Sequence, residues 1–311
     1  MAVLNLELNK LGKIQCHKNL AVFPVLGESS CLDYLVLSEI LGRGVEIKEN
    51  PKGTTQNQIY VENNTNKIVL AISGEIVVGQ TQNRNFVRNV IFDINFKGLV
   101  PVNCAQAGHS TVNRAVFNEY GGLAPSSVSN SQQSGAWDTI ATLNSETRVF
   151  SGTSDLKEIY EKRKETFEEF SRNYSKLEKQ LGIVAGFVRN GKKHFVLDVF
   201  DNERTFGKYF NSLLKSYILE SGLNSEERIN VSNDEVEKFL NDSRKSEFKE
   251  INPISLGKDF KFKGNNLMGS SIVYEWTPVH TNIFSSFGGD SVRDYFHREI
   301  DECPTILYRK L

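Results

Sequence analysis

The stretch GIVAGFVRNGKKHFVLDVF, residues 182–200, reads as two apolar strands, Gly182 to Val188 and His194 to Phe200, hinged on Arg189-Asn190-Gly191-Lys192. Asn-Gly supplies two residues that tolerate positive φ, which the tightest β-hairpin turns require. The flanks have helical periodicity. Upstream, Leu156, Ile159, Tyr160, Phe167, Phe170, Tyr174, Leu177 and Leu181 keep to one face, from the N-cap pair Ser154-Asp155 to a stop at Gly182. Downstream, Phe206, Phe210, Leu213, Leu214 and Tyr217 carry a helix over about 203–220. Ser232-Asn233-Asp234-Glu235 caps a third, short helix to about Lys245, and strands return near 260–262, 270–276 and 280–284.

The first 150 residues are mainly strand-like. Runs at 20–26, 58–62 and 67–72 are β-rich, and Asn63-Asn64-Thr65-Asn66 between the last two reads as a hairpin loop. Further strands are expected at 89–96 and 99–104. A short helix is expected from Leu32 to Leu41, ended by Gly42. The Ser, Asn and Gln of 126–134 predict a mobile loop. The expected fold is α+β. A mixed or largely antiparallel sheet from the first half packs on two main helices, 154–182 and 203–220, with a C-terminal return of strands. The expected organisation is a mainly β lobe at 1–150 and an α+β lobe at 151–285 packed on it as one compact unit. A peripheral charged tail, 286–311, follows.

Composition narrows function more than fold. The chain has 311 residues, 37 Lys+Arg against 38 Asp+Glu, and 10% aromatic residues, which argues against disorder. With no basic excess to release counterions, a nucleic-acid partner is not expected. No apolar run reaches the roughly 18 residues of a membrane span, and 1–20 is broken by charges, so a soluble, cytoplasmic protein without membrane contact is expected. Cys16, Cys31, Cys104 and Cys303 form no CxxC pair, and the five histidines form no zinc-protease helix. Phosphate-loop, dinucleotide and GxSxG motifs are absent, and no metal ligand set or cofactor is indicated.

Chemistry concentrates in Gly74-Glu75-Ile76-Val77-Val78-Gly79-Gln80-Thr81-Gln82-Asn83-Arg84-Asn85. Glu75 is a candidate acid/base. Gln80, Gln82 and Asn83 can both donate and accept, and Arg84 can clamp a phosphate or carboxylate bidentately. The same cluster also reads as a polar turn in which amides cap backbone and Arg84 pairs with Glu75. Cys104-Ala105-Gln106-Ala107-Gly108-His109-Ser110 follows a strand, and His109 is a second acid/base candidate, or an ordinary loop histidine. Cys104 reads as a buried thiol. Trp137 can stack on a base or sugar, or anchor its loop. Asp198 lies inside an apolar strand and must be paired if buried; His280 shares one strand face with Asn282. These two are secondary candidates, for which a salt bridge and a solvated face are the plainer readings.

The order of these segments resembles the ARPP family, whose members are associated with ADP-ribosylglycohydrolase-like, rhodanese-like and phosphatase-like proteins. The pieces that carry the likeness are Val22-Phe23-Pro24-Val25, Tyr34 to Glu39, Gly74-Glu75 with Gly79-Gln80 and Gln82-Asn83-Arg84, and Val100 to Cys104 with Gly108-His109. Trp137, Gly186 to Phe200, Leu213 to Tyr217 and Gly257 to Phe284 follow. The resemblance implies no established catalytic activity. It implies a role in NAD or ADP-ribose metabolism, or in a conflict system using such nucleotides. The expectation is therefore a protein that binds or processes an ADP-ribose-like or other phosphorylated nucleotide in a polar pocket around Glu75 to Arg84. The alternatives are a non-catalytic interaction protein, as homo-oligomer or accessory subunit, and a metal-dependent hydrolase in which Glu75, His109, Asp198 and His280 converge.

Overall fold

A computed structural model describes residues 10–50, 57–79, 82–108, 116–131, 133–264 and 266–285. The chain opens with β1 (Lys10–Leu11), β2 (Gln15–His17), β3 (Leu20–Leu26), β4 (Leu35–Val36) and α1 (Leu37–Ile40). Eight strands follow: β5 (Val45–Glu49), β6 (Gln58–Asn63), β7 (Val69–Ala71), β8 (Glu75–Gly79), β9 (Arg84–Phe86), β10 (Val90–Phe92), β11 (Lys97–Cys104) and β12 (Phe117–Leu123). Four helices come next, α2 (Ser126–Ser129), α3 (Gln133–Glu146), α4 (Leu156–Lys162) and α5 (Lys164–Ser171), then the hairpin β13 (Gln180–Arg189) and β14 (Lys192–Phe200). The second half ends with α6 (Glu203–Glu220), α7 (Asn233–Arg244), β15 (Glu247–Ile251), β16 (Lys258–Gly264), β17 (Leu267–Tyr274) and β18 (Thr277–Ser285).

Three sheets result. An antiparallel sheet runs β1-β3-β13-β14-β18-β17-β16-β15, with β2 also on β3. The early strand β3 thus pairs with β13, which begins at Gln180, and carries β1 and β2 with it. β11-β6-β5-β12-β8-β9 closes into a barrel, and β10-β7-β4 forms a small third sheet. The large sheet is apolar on both faces, so helices cover both. Ala21, Phe23 and Val25 of β3 pack with Val236, Phe239 and Leu240 of α7. Leu20 and Val22, on the opposite face, pack with Phe206, Leu213, Leu214 and Tyr217 of α6. Burying each such side chain contributes roughly 1.5–3 kcal/mol, which is what holds α6 between the sheet and the barrel. Alternation points Val45, Ile47, Ile59, Val61, Val77, Phe86, Val100, Val102 and Phe117 into the barrel as a second core.

The α+β fold is as the sequence predicts, including α6, the capping box of α7 and the β13–β14 hairpin with Asn190 and Gly191 at positive φ. Four local expectations are corrected. The loop at Asn63–Asn66 joins no hairpin: β6 pairs with β5 and β11, whereas β7 pairs with β10 and β4. The Asn63 side chain shapes that loop instead, accepting from Thr65 and donating to the Lys67 carbonyl. The helix expected over 32–41 shrinks to α1, because Leu35 and Val36 are drawn into parallel pairing with Val69 and Leu70. The helix expected over 154–182 is broken at Arg163 into α4 and α5, and α5 ends at Ser171. Tyr174 then turns inward, where its hydroxyl bonds the Leu20 carbonyl, and Gln180 already belongs to β13. The segment 126–134 expected as a mobile loop carries α2 and the start of α3, because the buried Glu220 carboxylate accepts the Ser126 and Ser127 N–H groups. The tail 286–311 lies outside the described residues.

Candidate functional site

The residues singled out by the sequence fall into two places. The first is one end of the barrel. Arg84 stands two residues from Phe86, Cys104 from Val102 and Glu49 from Ile47, and residues two apart share a strand face, so all three side chains lie on the interior side. Arg84 is 3% exposed. One guanidinium nitrogen donates to Cys104 Sγ and the other to Glu49 Oε1 at 3.4 Å, while Nε has no partner among the described residues. Among the described residues, the only carboxylate on this buried charge is therefore a long contact to a partly exposed side chain. Gly79, at φ +153°, closes the same end of β8, where a Cβ would lie 2.5 Å from the Val116 carbonyl. Burial pushes the Cys104 thiol up, with Arg84 pulling the other way, so the neutral thiol is favoured and donates to Gln82 Oε1.

Gln82 and Asn83 staple the barrel to its neighbours. The Gln82 amide reaches the carbonyls of Gln106, Ala107 and Gly108 at 3.3–3.4 Å. The Asn83 amide donates to Asp155 at 2.8 Å, and Asp155 in turn N-caps α4 through Lys157 N. Burial raises the Asp155 pKa, with the Asn83 bond opposing it. Trp137 sits on α3 one turn after Gln133, whose amide grips the backbone N and O of Cys104 at 2.6 and 3.1 Å. The Trp137 indole N–H is buried without an acceptor among the described residues. Gln80 and His109 lie outside the described residues.

The second place is the seam between the barrel, α6 and the large sheet. Glu75 is fully buried at the end of a tight turn. Gly74, at φ +91°, lets the chain reverse, and Glu75 Oε2 folds back to accept the Ile72 N–H at 2.7 Å. Burial raises the Glu75 pKa to about 8, partly offset by the Ile72 N–H and the Tyr209 hydroxyl, so the carboxyl is mostly protonated at neutral pH. Glu75 Oε1 and the hydroxyls of Tyr209 and Tyr120 lack well-aligned partners. In the same turn the Ser73 N–H donates to Asn89 Oδ1, which also faces His280 Nδ1 at 3.0 Å. His280 Nε2 faces Asp198 Oδ1 at 3.1 Å, and Asp198 further accepts from Asn282 and Tyr217. Since the Ser73 N–H fixes Asn89 Oδ1 as an acceptor, Nδ1 of His280 carries a proton.

The structure therefore brings Asp198 and His280 into contact, and Asn89 ties His280 to the backbone of the turn that carries Glu75. It does not join Glu75 to Arg84, whose partners are separate. A small cavity lined by Ser73, Ser126, Ser129, Asp198, Tyr217 and Asn282 opens beside the seam and has room for about one water. Among the described residues no three His, Cys, Asp or Glu side chains gather as a metal-binding group, so the convergence that a metal-dependent hydrolase would need is confined to the Asp198–His280 pair. Asn89, Tyr209, Tyr217, Glu220 and Glu49 were not candidates from the sequence. The two tyrosines occupy core positions of α6, and the signal available was a hydroxyl on an apolar helix face opposite a strand carboxylate.

Fold and site define an α+β protein whose barrel encloses one thinly paired arginine at its end. The chain matches the ARG and Rhodanese-Phosphatase-superfamily-associated Protein domain, ARPP-1, over residues 9–284, and belongs to that family. No curated protein and no solved structure matches the chain. No helix among the described residues is long and apolar enough to cross a membrane.

Proposed function

We propose that the protein recognises an anionic small molecule, an ADP-ribose-like or other phosphorylated nucleotide, at the barrel end, with Arg84 holding its phosphate. The observation that carries this reading is the state of Arg84 among the described residues: 3% exposed, its Nε without a partner, its one carboxylate contact 3.4 Å long. Taking a guanidinium out of water costs several kcal/mol unless counter-charge and acceptors replace the lost hydration, and a phosphate supplies both. The orphan indole N–H of Trp137, beyond Cys104, is a further donor in that neighbourhood. The family's association with ARG and rhodanese–phosphatase proteins supports a phosphorylated ligand over a neutral one. Gln82, with its stretched bonds, can turn to such a ligand more readily than Asn83, whose bond to Asp155 is short.

Recognition without turnover is favoured at the seam, as for an accessory or regulatory subunit. Asp198 and His280 satisfy one another behind closed packing, and Glu75 is held by its own turn. A thermal-shift screen against NAD, ADP-ribose and common mono- and dinucleotides tests the proposal, with Arg84→Gln and Glu49→Gln in parallel. A ligand at a hundredfold excess over Kd adds about 2.7 kcal/mol of apparent stability. The shift should vanish in Arg84→Gln and grow in Glu49→Gln, which removes the competing carboxylate. A shift that persists in Arg84→Gln places the ligand elsewhere.

A further inference from the structure

The β17–β18 hairpin turns through Glu275 and Trp276, with φ of +47° and +66°. Both residues of this two-residue turn are left-handed, the geometry for which Asn-Gly is strongly preferred. A bulky tryptophan there is a genuine backbone outlier, and such strain persists where the side chain has a use. Trp276 is 81% exposed, one of only two tryptophans in the chain. A tip that needed only to reverse would shed both the strain and the exposed indole.

The surroundings give the tip a charge. Glu275 and Asp93 are exposed, and neither carboxylate takes part in an ion pair among the described residues. Both act on the Tyr274 hydroxyl, whose pKa is raised by burial first, then by Glu275 and Asp93, which places the three groups together. Ile94, next to Asp93, is itself 46% exposed. The tip therefore presents an indole face, a phenol bonded to Glu275, and two carboxylates outside any ion pair among the described residues, a combination suited to cationic side chains through cation–π and ionic contacts. The acidic pair disfavours an anionic membrane surface, and the like charges disfavour self-association through this tip.

We propose that the β17–β18 tip docks a basic segment of a partner protein, Trp276 stacking on an arginine while Glu275 and Asp93 pair with its neighbours. The test uses the full chain and hexa-arginine peptide at up to millimolar concentration, followed by tryptophan fluorescence, with hexa-glutamate as control. The wild type should show saturable quenching by hexa-arginine alone, weakened about tenfold or more between 50 and 500 mM salt. Trp276→Ala should abolish it. The double variant Glu275→Asn/Trp276→Gly should also lose binding while melting several degrees higher than the wild type, since it places the preferred residues in the turn. No saturable quenching, or equal quenching in the double variant, overturns the docking proposal. A double variant that melts no higher overturns the argument from strain. Trp276-dependent dimerisation, or binding to anionic vesicles in place of the peptide, would assign the tip to a second copy or to a membrane and overturn the choice of partner.

Discussion

Replacing Glu75 by glutamine should make the protein more stable at neutral and alkaline pH, by an amount that grows with pH. The carboxyl is fully buried, and burial raises its pKa from 4.5 to about 8. Between those values the native state holds a proton that the unfolded chain has released, so stability falls as pH rises through that window. Each pH unit is about 1.4 kcal/mol, and with both ends of the window half-titrated this gives a loss of roughly 3 kcal/mol by pH 7 and roughly 4 kcal/mol by pH 8, relative to pH 4.5. Glutamine keeps the shape and the acceptor for the Ile72 N–H, and its amide can face the Tyr209 hydroxyl. Urea unfolding of both proteins at pH 5, 6, 7 and 8 reads the difference directly. The two should be nearly equal at pH 5 and diverge steadily to pH 8. A difference that is constant with pH, or a glutamine variant that is the less stable at pH 8, would refute a protonated Glu75 in the seam.

Three further outcomes follow from the same contacts. Asp198→Asn turns one acceptor into a donor facing His280, Asn282 and Tyr217, and should cost roughly 3–5 kcal/mol in denaturant unfolding while leaving ligand affinity at the barrel end unchanged. Glu220→Ala removes the acceptor for two buried N–H groups and should cost about 2–4 kcal/mol, with faster amide exchange confined first to 126–131. Asp155→Ala uncaps α4 and frees the Asn83 amide, so a loss of about 1–2 kcal/mol is expected by thermal unfolding.

What the sequence discloses here is what short range decides. Asn190-Gly191 and the Ser232–Glu235 box are written in a few adjacent residues, and the apolar stripe of α6 repeats within one helix; each stands where expected. Pairings set by distant partners are not visible in the same way. Nothing local in Asn63 to Asn66 says that its flanking strands enter different sheets, and the polar run at 126–131 becomes helix only because Glu220 lies 94 residues further on. The site divides on the same principle. Asp198 was recognisable as a buried carboxylate needing a partner, but the partner, His280, is 82 residues away. Glu75 and Arg84, nine positions apart, invite one pocket, yet Gly74 folds Glu75 back onto its own turn towards α6, while Arg84 enters the barrel towards Glu49.

The Arg84 Nε–H proton gives the most direct measurement of anion recognition at the barrel end. In a ¹H–¹⁵N spectrum of the labelled protein, assigned through its loss in Arg84→Gln, this buried group should resonate as a donor without an acceptor. Titration with ADP-ribose, and with inorganic pyrophosphate as the bare anion, should move it downfield with saturation as the phosphate supplies the missing hydrogen bond. An Arg84 Nε–H signal that stays fixed while either compound binds, or that no anion moves at millimolar concentration, would contradict Arg84 as the anion-binding group.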